Sequence, residues 1–154
     1  MSISTVTDLA DELNQLQLKI FNYDFAWELG SRLRARAQDA KAPVAIEVRH
    51  GTDVVFATLL SGATIDNFDW TRRKCAVAHR FHRSSLSMRL EAEAQGYNFN
   101  SRFRLPEADY VASGGGVPLM LASGTFVGSV GVSGLPDIED HQLIVATLRD
   151  MLTA

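Results

Sequence analysis

The chain has 154 residues, 46% of them hydrophobic, and a formal net charge of -3. That suits one globular domain, 1–154, burying roughly two thirds of its unfolded surface without a disulfide or metal staple. The single cysteine, Cys75, excludes an internal disulfide and a paired-cysteine zinc or dithiol site. Asp8, Asp11 and Glu12 interrupt the start of the chain, and no apolar run approaches the roughly eighteen residues of a membrane span, so a soluble protein of a reducing, cytoplasmic compartment is expected.

Leu9, Leu13, Leu16 and Ile20 recur at helical spacing and predict a peripheral N-terminal helix over about 4–20. Asp24 is the expected cap of a second helix, in which Phe25, Leu29, Leu33 and Ala37 repeat at four until Pro43 forbids continuation. Val44, Ile46 and Val48 alternate with Ala45, Glu47 and Arg49, and a turn at His50–Asp53 leads into Val54–Leu60, which together read as an antiparallel hairpin. Residues 61–67 are an expected loop, with a third helix from near Asp69. Its inner face carries Trp70, Val77 and Phe81, while Arg72, His79 and Arg83 project outward. A fourth helix runs from Ser84 to Gln95 and stops at Gly96. Tyr97–Leu105 reads as irregular. Strands over Val117–Ala122 and Thr125–Val132 follow, then a last helix opened by Pro136 and Asp137. The order α-α-β-β-α-α-β-β-α, with grouped hairpins and no repeated crossovers, predicts an α+β domain with an antiparallel sheet and helices packed against it.

Charge is unevenly distributed. Residues 1–70 hold six Lys/Arg against ten Asp/Glu, residues 71–104 eight against two, and residues 105–154 one against six. Within this basic island, Arg72, Arg73 and Lys74 open a helix whose free amides could help hold a carboxylate or phosphate. A solvated helix face or salt bridges to a neighbouring subunit would use the same residues. The acidic total and the lack of a recognition motif argue against nucleic acid. Gly114, Gly115 and Gly116 fit neither a dinucleotide nor a Walker loop; with Gly128, Gly131 and Gly134 they would admit a closely packed backbone, a subunit or a flat ligand. Ser133 lacks the second glycine of a nucleophile elbow. Cys75, His79 and His82 have permissive metal spacing, but the arginines around them oppose a dication, and no metal is expected. Asp140 and His141 form an acid–base pair by type, although adjacent helical residues do not face one another, and capping alone would explain the aspartate.

Gly114-Gly115-Gly116-Val117-Pro118-Leu119, then Val127-Gly128-Ser129-Val130-Gly131-Val132-Ser133-Gly134, then Glu139-Asp140 resemble the GlcG/HbpS, or haem-degrading-domain, family. Asp66-Asn67, Trp70, Arg72-Arg73-Lys74, Phe81, Ser84-Ser85 and Ser133-Gly134-Leu135-Pro136 with Asp140-His141 resemble more closely its uncharacterised-protein branch, from about residue 20 onward. The resemblance implies a profilin-like α+β fold, a homo-oligomer and, as in some relatives, binding of haem or another tetrapyrrole. The expected ligand-binding residues are Trp70, Arg72, Arg73, Lys74, Gly114, Gly115, Gly116, Ser133, Asp140 and His141. They would line a pocket between the glycine-rich strands and the basic helix, its cations meeting the carboxylates of a flat anionic ligand and His141 at its rim. Haem is the named candidate. Of the four histidines, His50, His79, His82 and His141, only His141 belongs to the branch pattern. Two other readings stand beside this one: an oligomeric assembly protein whose glycines and arginines make subunit contacts, and a haem-degrading enzyme, for which no catalytic set can be mapped.

Overall fold

The hairpin expected at His50–Asp53 forms in the computed structural model, which describes residues 5–153: β1 (Ala45–His50) and β2 (Asp53–Leu59) pair antiparallel. A second hairpin, β3 (Gly116–Met120) and β4 (Phe126–Ser133), joins the first because β4 also pairs antiparallel with β1. The result is one four-stranded sheet of order β2-β1-β4-β3. Val44, Ile46, Val48, Val117, Leu119, Val130 and Val132 form the main core with α2 (Tyr23–Asp39) and α6 (Asp137–Thr153). Helix α3 (Ile65–Phe81) covers the opposite face at β1, β4 and β3. Beside it, α4 (Ser85–Gln95) and α5 (Phe99–Phe103) close a smaller aromatic core around Val77, Met88 and Phe99. This is the expected α+β arrangement, an antiparallel sheet with helices packed against it.

Several boundaries differ from expectation. Helix α1 covers Val6–Asn14 and does not run to Ile20, while the expected start at residue 4 lies outside the described residues. Leu16 and Leu18 are buried after the helix has ended, Leu18 by bridging to Leu121 beside β3 and Leu16 within the main core; strand pairing and core contact supply their burial without helix. Asn22, not Asp24, caps α2, accepting from the Phe25 amide at 2.8 Å, which leaves Asp24 free to favour the positive helix end. Helix α3 begins at Ile65, four residues before Asp69, because the Asn67 carboxamide reaches back to the Thr64 amide at 2.9 Å. Residues expected to be irregular include α5, whose first turn is capped by Asn98. The chain order therefore gains one helix.

Candidate functional site

The glycine-rich and cationic residues meet in a closed centre. Lys74, expected to meet a ligand's carboxylates, is only 2% exposed and points inward. Its Nζ donates to the Val132 carbonyl at 3.0 Å and to Asp140 Oδ2 at 3.1 Å. Asp140, 1% exposed, also accepts from the amides of Leu135 at 3.0 Å and Gly134 at 3.4 Å, so the first turn of α6 ties down the turn that leaves β4. Glycine is required around this pair for space. A Cβ on Gly116 would lie 2.5 Å from the Lys74 carbonyl oxygen, and one on Gly115, whose φ is +121°, 2.3 Å from the Val132 oxygen. Gly114 donates to Asp137 Oδ2 at 2.9 Å, and Ser133 is buried at the end of β4. Burial pushes Asp140 up to about 6, against the pull of Lys74 and the two amides. Burial also lowers Lys74, opposed chiefly by Asp140. Gly114–Gly116, Lys74 and Asp140 thus form an internal clasp, with α3 backbone filling the space where a ligand pocket was expected.

Trp70, Arg72 and Arg73 lie elsewhere. Arg72 bridges Asp69 at 2.7 Å and Asp109 at 3.1 Å and donates to the Ala108 carbonyl at 2.8 Å, pinning the 107–109 turn against α3. Arg73 pairs with Asp69 at 2.9 Å and lies 4.3 Å above the Trp70 ring, so Trp70 is a half-exposed cation–π platform and not an inner-face anchor. Arg83 and Arg89 meet Glu91 and Asp137, while Arg80 and Arg102 lie over Tyr110 and Tyr97. Most of the basic island is therefore neutralised within the chain, not offered to an external anion.

His141 is buried, at 3% exposure, and not at a pocket rim; its Nε2 lies 2.7 Å from Glu12 of α1. It turns away from Asp140, which faces Lys74, so the two do not work as an acid–base pair. Glu12 was noted only as a charge interrupting the start of the chain, since nothing near residue 12 foretells a partner 129 positions away. Glu47 and Thr71 were missed too. Alternation along β1 suggested a solvated Glu47, but α3 covers that face, and Glu47 accepts from Thr71 Oγ1 and pairs with Arg49 at 2.5 Å. Cys75 packs beneath Gly131, and burial pushes its thiol up to about 12. His79 and His82 flank Phe126 at 4.9 and 4.7 Å. Among the described residues no group of three or more His, Cys, Asp or Glu could hold a metal ion, and no helix is long and apolar enough to cross a membrane.

Open space lies on the other side of the sheet. A cleft of about 510 Å³ runs between α2 and β2, lined among others by Trp27, Arg34, Val55 and Phe56. A smaller one of about 190 Å³ is lined by Phe21, Asn22, Tyr23, His50 and Val127. There the exposed His50 ring packs against Phe21 and Tyr23 at 5.7 Å, and its Nδ1 lies 3.0 Å from the Tyr23 hydroxyl.

An antiparallel sheet with helices on both faces and a glycine–lysine–aspartate clasp at the root of its last helix defines an α+β domain. The chain belongs to the family of haem-degrading HbpS-like proteins, whose model matches residues 21–149. It is 38% identical over 149 residues to a UPF0303 protein of Streptomyces avermitilis, covering 97% of this chain and 91% of that one. A UPF0303 protein of Burkholderia thailandensis is 45% identical over 123 residues, 80% of this chain and 74% of the relative. Among solved structures, that of Ybr137w protein superposes with a TM-score of 0.90 at 26% identity, covering 99% of this chain and 90% of that one. The crystal structure of a PduOC–haem complex superposes with a TM-score of 0.71 at 17% identity, covering 86% and 94% of the two chains, and shares the fold.

Proposed function

We propose that the protein is a small-ligand-binding domain whose ligand is a flat, anionic, apolar-faced molecule of the haem class, held at His50. The observation that carries this reading is the oriented, exposed His50 above the Phe21–Tyr23–Val127 cleft. Metal-binding histidines are commonly oriented by a partner on their second ring nitrogen. With Nδ1–H donating to the Tyr23 oxygen, the Nε2 lone pair is left for iron. The aromatic and apolar lining suits one edge of a macrocycle, although about 190 Å³ would leave most of it outside. Bound haem would supply a Lewis-acidic, redox-active iron; the chain's own residues would orient the ligand and shield one edge from water. The fold neighbour solved with haem agrees with this ligand class. In this reading Lys74, Asp140, Ser133 and the glycines hold the frame, while Trp70, Arg72 and Arg73 brace the 107–109 turn.

The test is a haemin titration of the full chain followed in the Soret band. A shifted band at micromolar protein, lost in His50→Ala and weakened in Tyr23→Phe with unchanged melting temperatures, is expected. His141→Ala should keep the band, because that ring lies in a separate contact with Glu12. An unshifted spectrum, or one indifferent to His50→Ala, would refute the proposal.

A further inference from the structure

The cleft between α2 and β2 has a floor, a wall and a cation, each fixed by a separate local device. Its volume of about 510 Å³ lies within the roughly 300–1,000 Å³ of ordinary small-molecule sites. The floor is Phe56, whose ring lies against the backbone of Gly30: a Cβ there would meet Phe56 Cδ1 at 2.3 Å. Glycine inside a helix is destabilising, and here it makes room for the ring. The wall is Trp27, 67% exposed and edge-on to Phe56 at 5.6 Å. The register shift of β1 against β2 leaves Val55 without a partner, and this extra residue turns toward α2 and lines the cleft. Bulges commonly re-aim side chains in this way. The cation is Arg34. Its Nη1 donates to Thr58 Oγ1 and to the Leu59 carbonyl at 3.0 Å, which fixes the guanidinium against β2. A guanidinium has five N–H groups, and those on Nε and Nη2 meet no acceptor among the described residues. Its helix neighbours Arg32 and Arg36 pair with Glu28 and Asp150, but no Asp or Glu lines this cleft among the described residues, and Arg34 has no ion pair there.

We propose that this cleft binds a small aromatic monocarboxylate. The ring lies against the Trp27 indole and the floor of Phe56 and Val55, and the carboxylate takes the Nε–Nη2 edge of Arg34 in a two-point, charge-assisted contact. One uncompensated cation matches one negative charge, which favours a carboxylate over a phosphate dianion. The brace to Thr58 and Leu59 does not by itself call for arginine, since a lysine ammonium also carries donors for two acceptors; the flat second edge does. The cleft shares no lining residue with the one at His50, so this proposal and the haem reading can fail separately.

The probe is 2-naphthoate, titrated into the full chain and followed in proton–nitrogen correlation spectra. The chain has two tryptophans. The indole N–H signal of Trp27 should shift while that of Trp70, on α3, stays, with a dissociation constant of about 1 mM or below. 2-Naphthamide keeps the ring without the charge and should bind about tenfold more weakly or worse. Acetate, which has the charge without the ring, should leave the Trp27 signal in place. Arg34→Lys should keep the melting temperature, because an ammonium still reaches Thr58 and Leu59, yet weaken binding about tenfold through loss of the fork. Ala35→Trp, at an exposed helix position lining the cleft, should fill it and abolish the shift. No movement of the Trp27 signal at about 10 mM naphthoate, equal binding of the amide, or unchanged affinity in Arg34→Lys or Ala35→Trp would each overturn the proposal.

Discussion

The Lys74–Asp140 pair gives the sharpest test of how the fold is held. Asp140→Ala leaves a buried ammonium with only the Val132 carbonyl at 3.0 Å and strips the Leu135 and Gly134 amides of their acceptor. Breaking a buried pair this way costs about 3–5 kcal/mol, a large part of the roughly 5–15 kcal/mol that folds a typical domain. Lys74→Met is milder, because Asp140 keeps two amide donors and can take up a proton; about 1–3 kcal/mol is expected. Since each single variant strands the other's partner, the double variant should fall short of the sum by about 2 kcal/mol. Urea unfolding followed by far-ultraviolet circular dichroism at pH 7 measures all three. The pH dependence has a definite sign. A carboxyl raised from 3.8 to about 6 binds its proton more tightly folded than unfolded, so its stabilising contribution is full below 3.8 and is lost as pH rises through about 6. The stability of the native chain relative to Asp140→Asn should therefore fall between pH 4 and 6, by up to about 3 kcal/mol. Additivity within about 0.5 kcal/mol, together with a flat difference between pH 4 and 6, would refute the coupled-pair account.

Two further outcomes follow from the same packing. Gly116→Ala puts a methyl group 2.5 Å from the Lys74 carbonyl oxygen, a backbone atom that can yield only if α3 moves off the sheet. About 1–3 kcal/mol of destabilisation is expected, and an unchanged melting temperature would show that the helix tolerates the shift. Cys75, buried and with its thiol pushed up to about 12, should resist a thiol reagent at pH 8 in the folded protein and react with one equivalent in urea. Rapid stoichiometric labelling without denaturant would contradict that burial.

Periodicity made the sheet and most helices legible because alternation at two and recurrence at four report directly which face of an element is covered. It does not report what does the covering. Leu16 and Ile20 carry the mark of a buried helical face, yet the chain buries Leu16 after α1 has ended and leaves Ile20 exposed. Glu47 alternates with core residues like an ordinary solvated strand position, but α3 crosses that face and supplies Thr71 as donor. The inward turn of Lys74 was hidden for the same reason at longer range. Lysine on a helix is usually solvated, and the reversal at Lys74 depends on Val132 and Asp140, 58 and 66 positions away. The glycines were the readable half of this arrangement: three in succession require either an unusual backbone or a close neighbour, and the neighbour is the Lys74 backbone itself. Mutual packing therefore accounts for Gly114–Gly116, Lys74 and Asp140 occurring together. Exposed aromatic groups such as Trp27 and His50 are better places to seek recognition than this closed centre.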